Sequence, residues 1–259
     1  MDLRAVFLSI GVLFGMLVCI ETGYRLGRRR SANWKAVHDA VGIVEAAIFA
    51  LLGLLLAFAF AAGISRLDSR RQLVIAEANA IWTAYLDLDT LRQDERAPIR
   101  RLFRQYLDSR LRLYHEIHRH LPNLSAVKEQ LRDAAQLQQK IWSLAVPAAQ
   151  ADPSGTAGQV LLPALTKMYA ANTEHEVAIY ARLPRLILVL VTIVALLSGL
   201  LGGYTMARRA RRSWLHSVLF AVVIAVTIYT VVDLDDPRIG LIRAQAEEKA
   251  LESLRDTIP

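Results

Sequence analysis

Four stretches of this sequence are apolar over the length that crosses a lipid bilayer. An α-helix rises about 1.5 Å per residue, so about 20 apolar residues span the hydrocarbon core. The stretches run from Leu3 to Ile20, Ala40 to Ile64, Leu186 to Tyr204 and Trp214 to Val232. Because 54% of the residues are hydrophobic, an ordinary soluble domain is excluded. The sequence predicts an all-α fold with four transmembrane helices in a lipid bilayer.

The second apolar stretch passes into a polar segment with no break. Residues 57–81 read AFAFAAGISRLDSRRQLVIAEANAI and contain no proline. The sequence therefore predicts a stalk that is continuous with span two; the 25 residues or so beyond Ile64 would extend about 40 Å at the helical rise. We predict four regions: two transmembrane helices in 1–64, an extramembrane helical domain in 65–183, two transmembrane helices in 184–232, and an extramembrane C-terminal tail in 233–259.

The inserted region has the apolar periodicity of a helical bundle. Apolar residues recur at steps of three and four between Ile99 and Leu121 and again between Leu131 and Ile141. Pro98 suits the first turn of one helix, Pro122 follows its end, and DPSGTAG at 152–158 is a linker. A last helix is expected from about residue 159 to residue 182. The domain is thus predicted to contain four helices, the first and last of which extend spans two and three.

Arginine-rich connections predict how the chain is oriented in the membrane. Short loops with excess Lys and Arg stay in the cytoplasm, and the two basic loops are RLGRRR at 25–30 and ARRARR at 207–212. The N-terminus, residues 65–183 and the C-terminus are then extracytoplasmic in the inner membrane of a bacterium. The same clusters account for much of the net charge of +7, so no nucleic-acid partner is expected.

Span two contains two features that suggest contacts inside the membrane. Small residues recur at steps of three and four and form a small-residue face; they are Ala46, Ala50, Gly53, Ala57 and Ala61. Such faces let helix backbones approach closely, here either within one chain or between subunits around an axis. Glu45 lies about one turn into the span, where a carboxylate is costly unless it faces protein or water. It predicts an ion pathway, an interhelical contact or snorkelling to the interface.

No pattern in the sequence indicates catalysis or a bound metal. HEIHRH at 115–120 lacks the histidines at a four-residue step that a helical zinc site requires, because Arg119 follows His115 at that spacing. There is no nucleophile with a neighbouring base and no phosphate-binding glycine loop. We therefore expect no enzymatic activity, no cofactor and no metal site.

Three ordered motifs resemble the bacterial bestrophin-like membrane proteins. They are GLLLAFAFAAGISRLDSRRQLVIAEANAIWTAYLDLD from Gly53, RLPRLILVL from Arg182 and DLDDPRIGLI from Asp233. The family signature falls on Arg70, Arg71, Glu77, Asn79, Ala80, Tyr85, Pro184, Asp233, Asp235, Pro237 and Gly240.

The resemblance implies a homo-oligomeric channel or channel-like pore for small anions, with the second spans around its axis. Bulky apolar residues of span two narrow the pore in bestrophins, and the candidates here are Leu56, Phe60 and Ile64. Arg66 and Arg70 would attract anions at the outer mouth, and Glu45 would border the pathway. Bestrophins keep both termini in the cytoplasm, whereas the arginine-rich loops place both outside.

Two other functions fit the same pattern of spans. A helical domain between two spans is typical of membrane-anchored extracytoplasmic sensors, which here would act through a separate partner because the two short cytoplasmic loops leave no room for an output domain. The other alternative is an envelope structural protein that acts by contact.

The family-signature residues outside the membrane are expected to be structural. Glu77 and Asn79 would hydrogen-bond to neighbouring helices. Pro237 cannot continue the helix of span four, and Gly240 would let Ile239, Leu241 and Ile242 fold back onto the base of the stalk. In that arrangement Glu77 and the nearby arginines, including Arg71, would face Asp233 and Asp235.

Overall fold

The computed structural model describes residues 3–29, 38–117, 124–180, 184–207, 214–235 and 245–258. They form eight α-helices and one 3₁₀ turn, and no strand occurs within these ranges. The helices are α1 (Leu3–Arg29), α2 (His38–Asp87), α3 (Gln93–Ile117), α4 (Leu124–Gln150), α5 (Thr156–Tyr180), α6 (Arg185–Met206), α7 (Trp214–Asp235) and α8 (Gln245–Thr257). The predicted all-α fold class is confirmed.

Four of these helices are long and apolar enough to cross a membrane. They are α1, α2, α6 and α7, and the predicted multi-pass membrane protein is thereby supported. Helix α2 has 50 residues and so measures about 75 Å at the helical rise, more than twice the hydrocarbon thickness of about 30 Å. The apolar part of α2 ends at Ile64 and is the predicted membrane span. The rest of α2 forms the predicted stalk, which is continuous with span two.

One compact unit, the membrane unit, contains α1, α2 as far as Arg66, α6 and α7. Its core is formed by apolar side chains from all four helices, including Met16, Leu52, Ala195 and Ile224. Helices α1 and α6 pack so closely that their backbones are in contact. A Cβ atom added to Gly203 would overlap the carbonyl of Ile20, and one added to Gly23 would overlap the carbonyl of Leu200. The two glycines are therefore required by packing, as in other close helix pairs in membranes.

The second compact unit, the helical unit, contains α2 from Leu67 onward, α3, α4, α5 and α8. Phe103, Tyr106 and Leu107 of α3 are fully buried in its core, together with Ile81, Ile141 and Leu165 from the other helices. Leu251, Leu254 and Ile258 at the C-terminus of the chain belong to the same core. The residues from Gln245 onward are thus a fifth helical element of this unit, where the sequence predicted four helices and a tail.

Helix boundaries differ slightly from those expected. Helix α3 begins at Gln93, about one turn before the predicted start, so that Pro98 lies inside it. Helix α5 begins at Thr156, where the Asp152 carboxylate accepts hydrogen bonds from the Ala157 and Ser154 amides at 2.9 and 3.0 Å. These hydrogen bonds, of which the one from the Ala157 amide has the largest effect, lower the pKa of Asp152. The reason is that an ionised carboxylate caps a helix N-terminus best.

Candidate functional site

The small-residue face of α2 is exposed on the single chain. All five of its residues are solvent-accessible in the structure, whereas Leu52, Leu56 and Ala59 on another side of the helix are buried in the membrane unit. Of the two interpretations open from the sequence, packing within one chain is therefore wrong. The face remains available to lipid or to another molecule.

Two of the three bulky residues proposed for a pore belong to this exposed side. Phe60 and Ile64 are 39% and 40% exposed, and each lies seven residues from a member of the small-residue face, Gly53 and Ala57 respectively. Leu56 is 9% exposed and packs into the core formed with α1, α6 and α7. Leu56 therefore does not belong to the exposed side of α2 that carries Phe60 and Ile64.

Glu45 makes an interhelical contact near the start of α2. Its carboxylate accepts a hydrogen bond of 2.9 Å from the Thr205 hydroxyl of α6. Phe49, one turn further along α2, meets Phe220 of α7 edge to face at 5.4 Å between ring centroids. Both contacts tie α2 to the two later spans at one end of the membrane unit.

The arginines proposed for an anion-attracting mouth differ in exposure. Arg66 and Arg71 are half-buried, whereas Arg70 is 5% exposed and donates its Nε proton to the Ala178 carbonyl of α5 at 3.3 Å. Arg70 is therefore a packing contact between α2 and α5 in the helical unit. Of the two arginines proposed for the mouth, Arg66 is the one with accessible surface.

Glu77 lies at the centre of a buried ionic network. It is fully buried, and its two carboxylate oxygens accept hydrogen bonds from Arg110 Nε and Nη2 at 2.6 and 3.2 Å. His175 Nδ1 of α5 lies 2.7 Å from the same carboxylate. The Glu77 carboxylate is thus bonded to α3 and α5.

The charges of this network compensate for the cost of burying them. Burial raises the pKa of Glu77, but the Arg110 charge and the His175 hydrogen bond more than offset it and leave the pKa below its usual value. Burial lowers the pKa of Arg110, but the negative charge of Glu77 more than offsets that effect and leaves the pKa above its usual value. Both groups are therefore ionised. A bidentate arginine–carboxylate pair has the geometry that makes such pairs strong.

A second layer of polar groups surrounds this pair. Arg110 Nη1 donates to Glu176 at 3.2 Å, and Glu176 accepts from the Asn172 amide at 3.0 Å. The Tyr114 hydroxyl lies 2.6 Å from His175 Nδ1, and the two rings stack. Every charged group of the network thus has a partner from α2, α3 or α5, which makes it a structural connection among three helices.

Other signature residues have separate positions. Tyr85 is buried against Trp82 and Phe103, and Arg100 lies 5.2 Å from its ring centroid. Asn79 is exposed and lines a groove with residues of α8. Ala80 is buried.

The remaining signature residues are near helix ends. Pro184 precedes α6 and its carbonyl accepts from the Ile187 amide, and Asp233 is buried near the end of α7. Asp235 is the last residue of that helix. Pro237, Gly240 and the segment 239–242, for which docking onto the stalk was predicted, lie outside the described residues.

Residues 10–248 match the Bestrophin-like domain family. The chain belongs to the bestrophin-like family. No curated protein matches it.

A solved structure has the same fold as this bestrophin-like chain. It is a crystal structure described as that of a membrane protein, with a TM-score of 0.55 and 15% sequence identity. The similarity covers 98% of this chain and 99% of that one. At this identity the comparison shows the fold and nothing about activity.

The sequence alone did not reveal the partners of Glu77 in this bestrophin-like protein. A signal was present, because Phe103, Tyr106, Arg110 and Tyr114 follow one another at steps of three and four. Arg110 thus interrupts the apolar face of α3. His175 continues the series Leu165, Met168 and Asn172 on α5 in the same way. Ionisable residues on apolar faces predict buried pairs.

Proposed function

We propose that this bestrophin-like protein forms a homo-oligomeric pore for small anions, with α2 nearest the axis. The observation that carries the proposal is the exposed small-residue face of α2, with Phe60 and Ile64 beside it. The exposed surface of α1, in contrast, carries the bulky Phe7, Phe14 and Val18. Small residues favour close contact between helices rather than contact with lipid.

The same face supplies the parts that a narrow pore requires. Phe60 and Ile64 would form a hydrophobic constriction, a common gating device in channels. Arg66, two residues after Ile64, is half-buried and would raise the local concentration of anions. No catalytic step and no cofactor enter this proposal.

Chloride flux from liposomes tests the pore directly. We expect purified wild-type protein to release chloride above the rate of empty liposomes. Phe60→Ala should raise that rate by on the order of tenfold, which corresponds to a barrier lower by about 1.4 kcal/mol. Phe58→Ala is the matched control, since Phe58 is 64% exposed but lies on another side of α2. Absence of flux, or equal rates for the two variants, would refute the pore.

We also propose the inner membrane of a bacterium as the location, with both termini extracytoplasmic. The support is the excess of arginine in the two short loops. A reporter that is active only in the cytoplasm should be active when fused at residue 30 and inactive at the C-terminus. Activity at the C-terminus would reverse the orientation.

A further inference from the structure

The membrane unit contains a cavity of about 370 Å³ between its four helices. Residues from late α1 and α6 and from early α2 and α7 line it, so it lies at the end of the bundle where α2 and α7 begin. The residues that matter for its chemistry are Glu45, Phe49, Thr205, His216, Ser217 and Phe220. Its volume lies in the range of about 300 to 1,000 Å³ typical of sites for small molecules.

Glu45 is the acidic residue among the described lining residues, which include His216 but no Lys or Arg. Glu45 is half-buried and accepts a hydrogen bond from the Thr205 hydroxyl. No ion pair joins Glu45 to another residue within the described ranges. A carboxylate in the membrane with one neutral donor is costly unless a cation compensates it.

The other residues that line the cavity indicate which class of cation it would bind. Phe49 and Phe220 meet edge to face, and the face of an aromatic ring attracts cations. Thr205 and Ser217 supply hydroxyl oxygens. A hard metal ion would need six or more oxygen ligands, which the described lining does not supply. We propose that the cavity binds a small organic ammonium group, with Glu45 as its counter-ion and the two phenylalanines as its aromatic wall.

An ammonium group could reach this site from two sources. One is a free small molecule such as choline, and the other is the headgroup of phosphatidylethanolamine in the surrounding bilayer. Both share the charged nitrogen that Glu45 and the aromatic rings would recognise. The proposal goes beyond anion conduction and does not depend on it, because binding is measured without flux.

The test is the equilibrium binding of choline to the purified protein, measured by titration calorimetry at constant ionic strength. We expect saturable binding to the wild type and binding at least about tenfold weaker to Glu45→Gln, as for the loss of a charge-assisted contact. Glutamine keeps an acceptor for Thr205, so the fold should persist. Glu21→Gln is the matched control, because Glu21 pairs with Arg25 on α1 and does not line the cavity. Its affinity should equal that of the wild type.

A second variant keeps the test decisive if Glu45→Gln does not fold. Phe220→Leu keeps an apolar side chain and removes an aromatic face, so choline should bind about two- to fivefold more weakly. The lipid source is examined by native mass spectrometry, in which phosphatidylethanolamine but not phosphatidylglycerol should stay bound to the wild type and be lost from Glu45→Gln.

The outcomes distinguish a free ammonium compound from a lipid headgroup, and they also show whether the proposed site is absent. Choline binding without retained phosphatidylethanolamine identifies a free ammonium compound, and retained phosphatidylethanolamine that choline displaces identifies the headgroup. If the wild type shows neither saturable choline binding nor selective retention of phosphatidylethanolamine, the site does not exist. Unchanged affinity in the folded Glu45→Gln and Phe220→Leu variants would equally overturn it.

Discussion

Replacing Glu77 with glutamine is expected to destabilise the helical unit by about 3–5 kcal/mol, the usual cost of removing one partner from a buried ion pair. The reason is that Arg110 is also fully buried and would keep its charge without a full counter-ion. Because whole domains are stable by only about 5–15 kcal/mol, we expect a large fall in melting temperature. Tryptophan fluorescence reports it, since Trp82 and Trp142 lie in this unit.

Two further variants make this result specific. Asp89→Asn removes an exposed acid that pairs with Arg96 and should cost less than about 1 kcal/mol. The double variant Glu77→Gln with Arg110→Met removes both charges and should recover part of the lost stability. If Glu77→Gln melts like Asp89→Asn, the network is not a structural element, and a ligand-sensing role for Glu77 becomes the better explanation.

Gly203→Ala is expected to separate α1 from α6 and to prevent assembly of the membrane unit. The added methyl group would overlap the backbone carbonyl of Ile20, and a backbone cannot rotate away as a side chain can. We expect a cost at or above the upper end of the range of about 1–3 kcal/mol for overpacked cores. The measurement is the fraction of protein that elutes as a single species from detergent extracts after stepwise heating.

Gly11→Ala is the control for the chemical change itself. Nothing lies within 4 Å of a Cβ atom at Gly11 on α1, so alanine there should be neutral or should stabilise the helix by up to about 1 kcal/mol. Equal behaviour of the two variants would show that α1 and α6 do not pack as described.

Hydropathy was enough to predict the membrane-spanning part of this fold. Transfer of an apolar helix into hydrocarbon depends on its length and composition, and both can be read from residues such as those between Leu186 and Tyr204. The continuous stalk was also predictable, because residues 57–81 contain no proline to break the helix.

Contacts between distant segments were the part that the sequence did not show. The partners of Glu77 lie 33 and 98 residues away, at Arg110 and His175, and only tertiary packing brings them together. Helix α8 was missed for a related reason. Leu251, Leu254 and Ile258 have helical spacing, but a single helical turn or two on a charged segment does not identify the surface that it covers.

The small-residue face of α2 shows a third limit. Lipid tails are as apolar as leucine, so hydropathy cannot distinguish a helix surface that faces lipid from one that faces protein. The structure shows that Ala46, Ala50, Gly53, Ala57 and Ala61 are exposed on the single chain. This burial pattern, which the sequence left open, is the basis for proposing contact between copies.

Disulfide formation between copies of the chain in native membranes tests that contact most directly. Ala57→Cys, placed in a Cys19→Ser background that removes the single natural cysteine, should give covalent dimers under mild oxidation. Phe14→Cys on the exposed surface of α1 should give none. Efficient dimers from Ala57→Cys alone are the predicted result. If Ala57→Cys stays monomeric, or if the two variants form dimers equally, the small-residue face does not bring subunits together and the proposed pore has no axis.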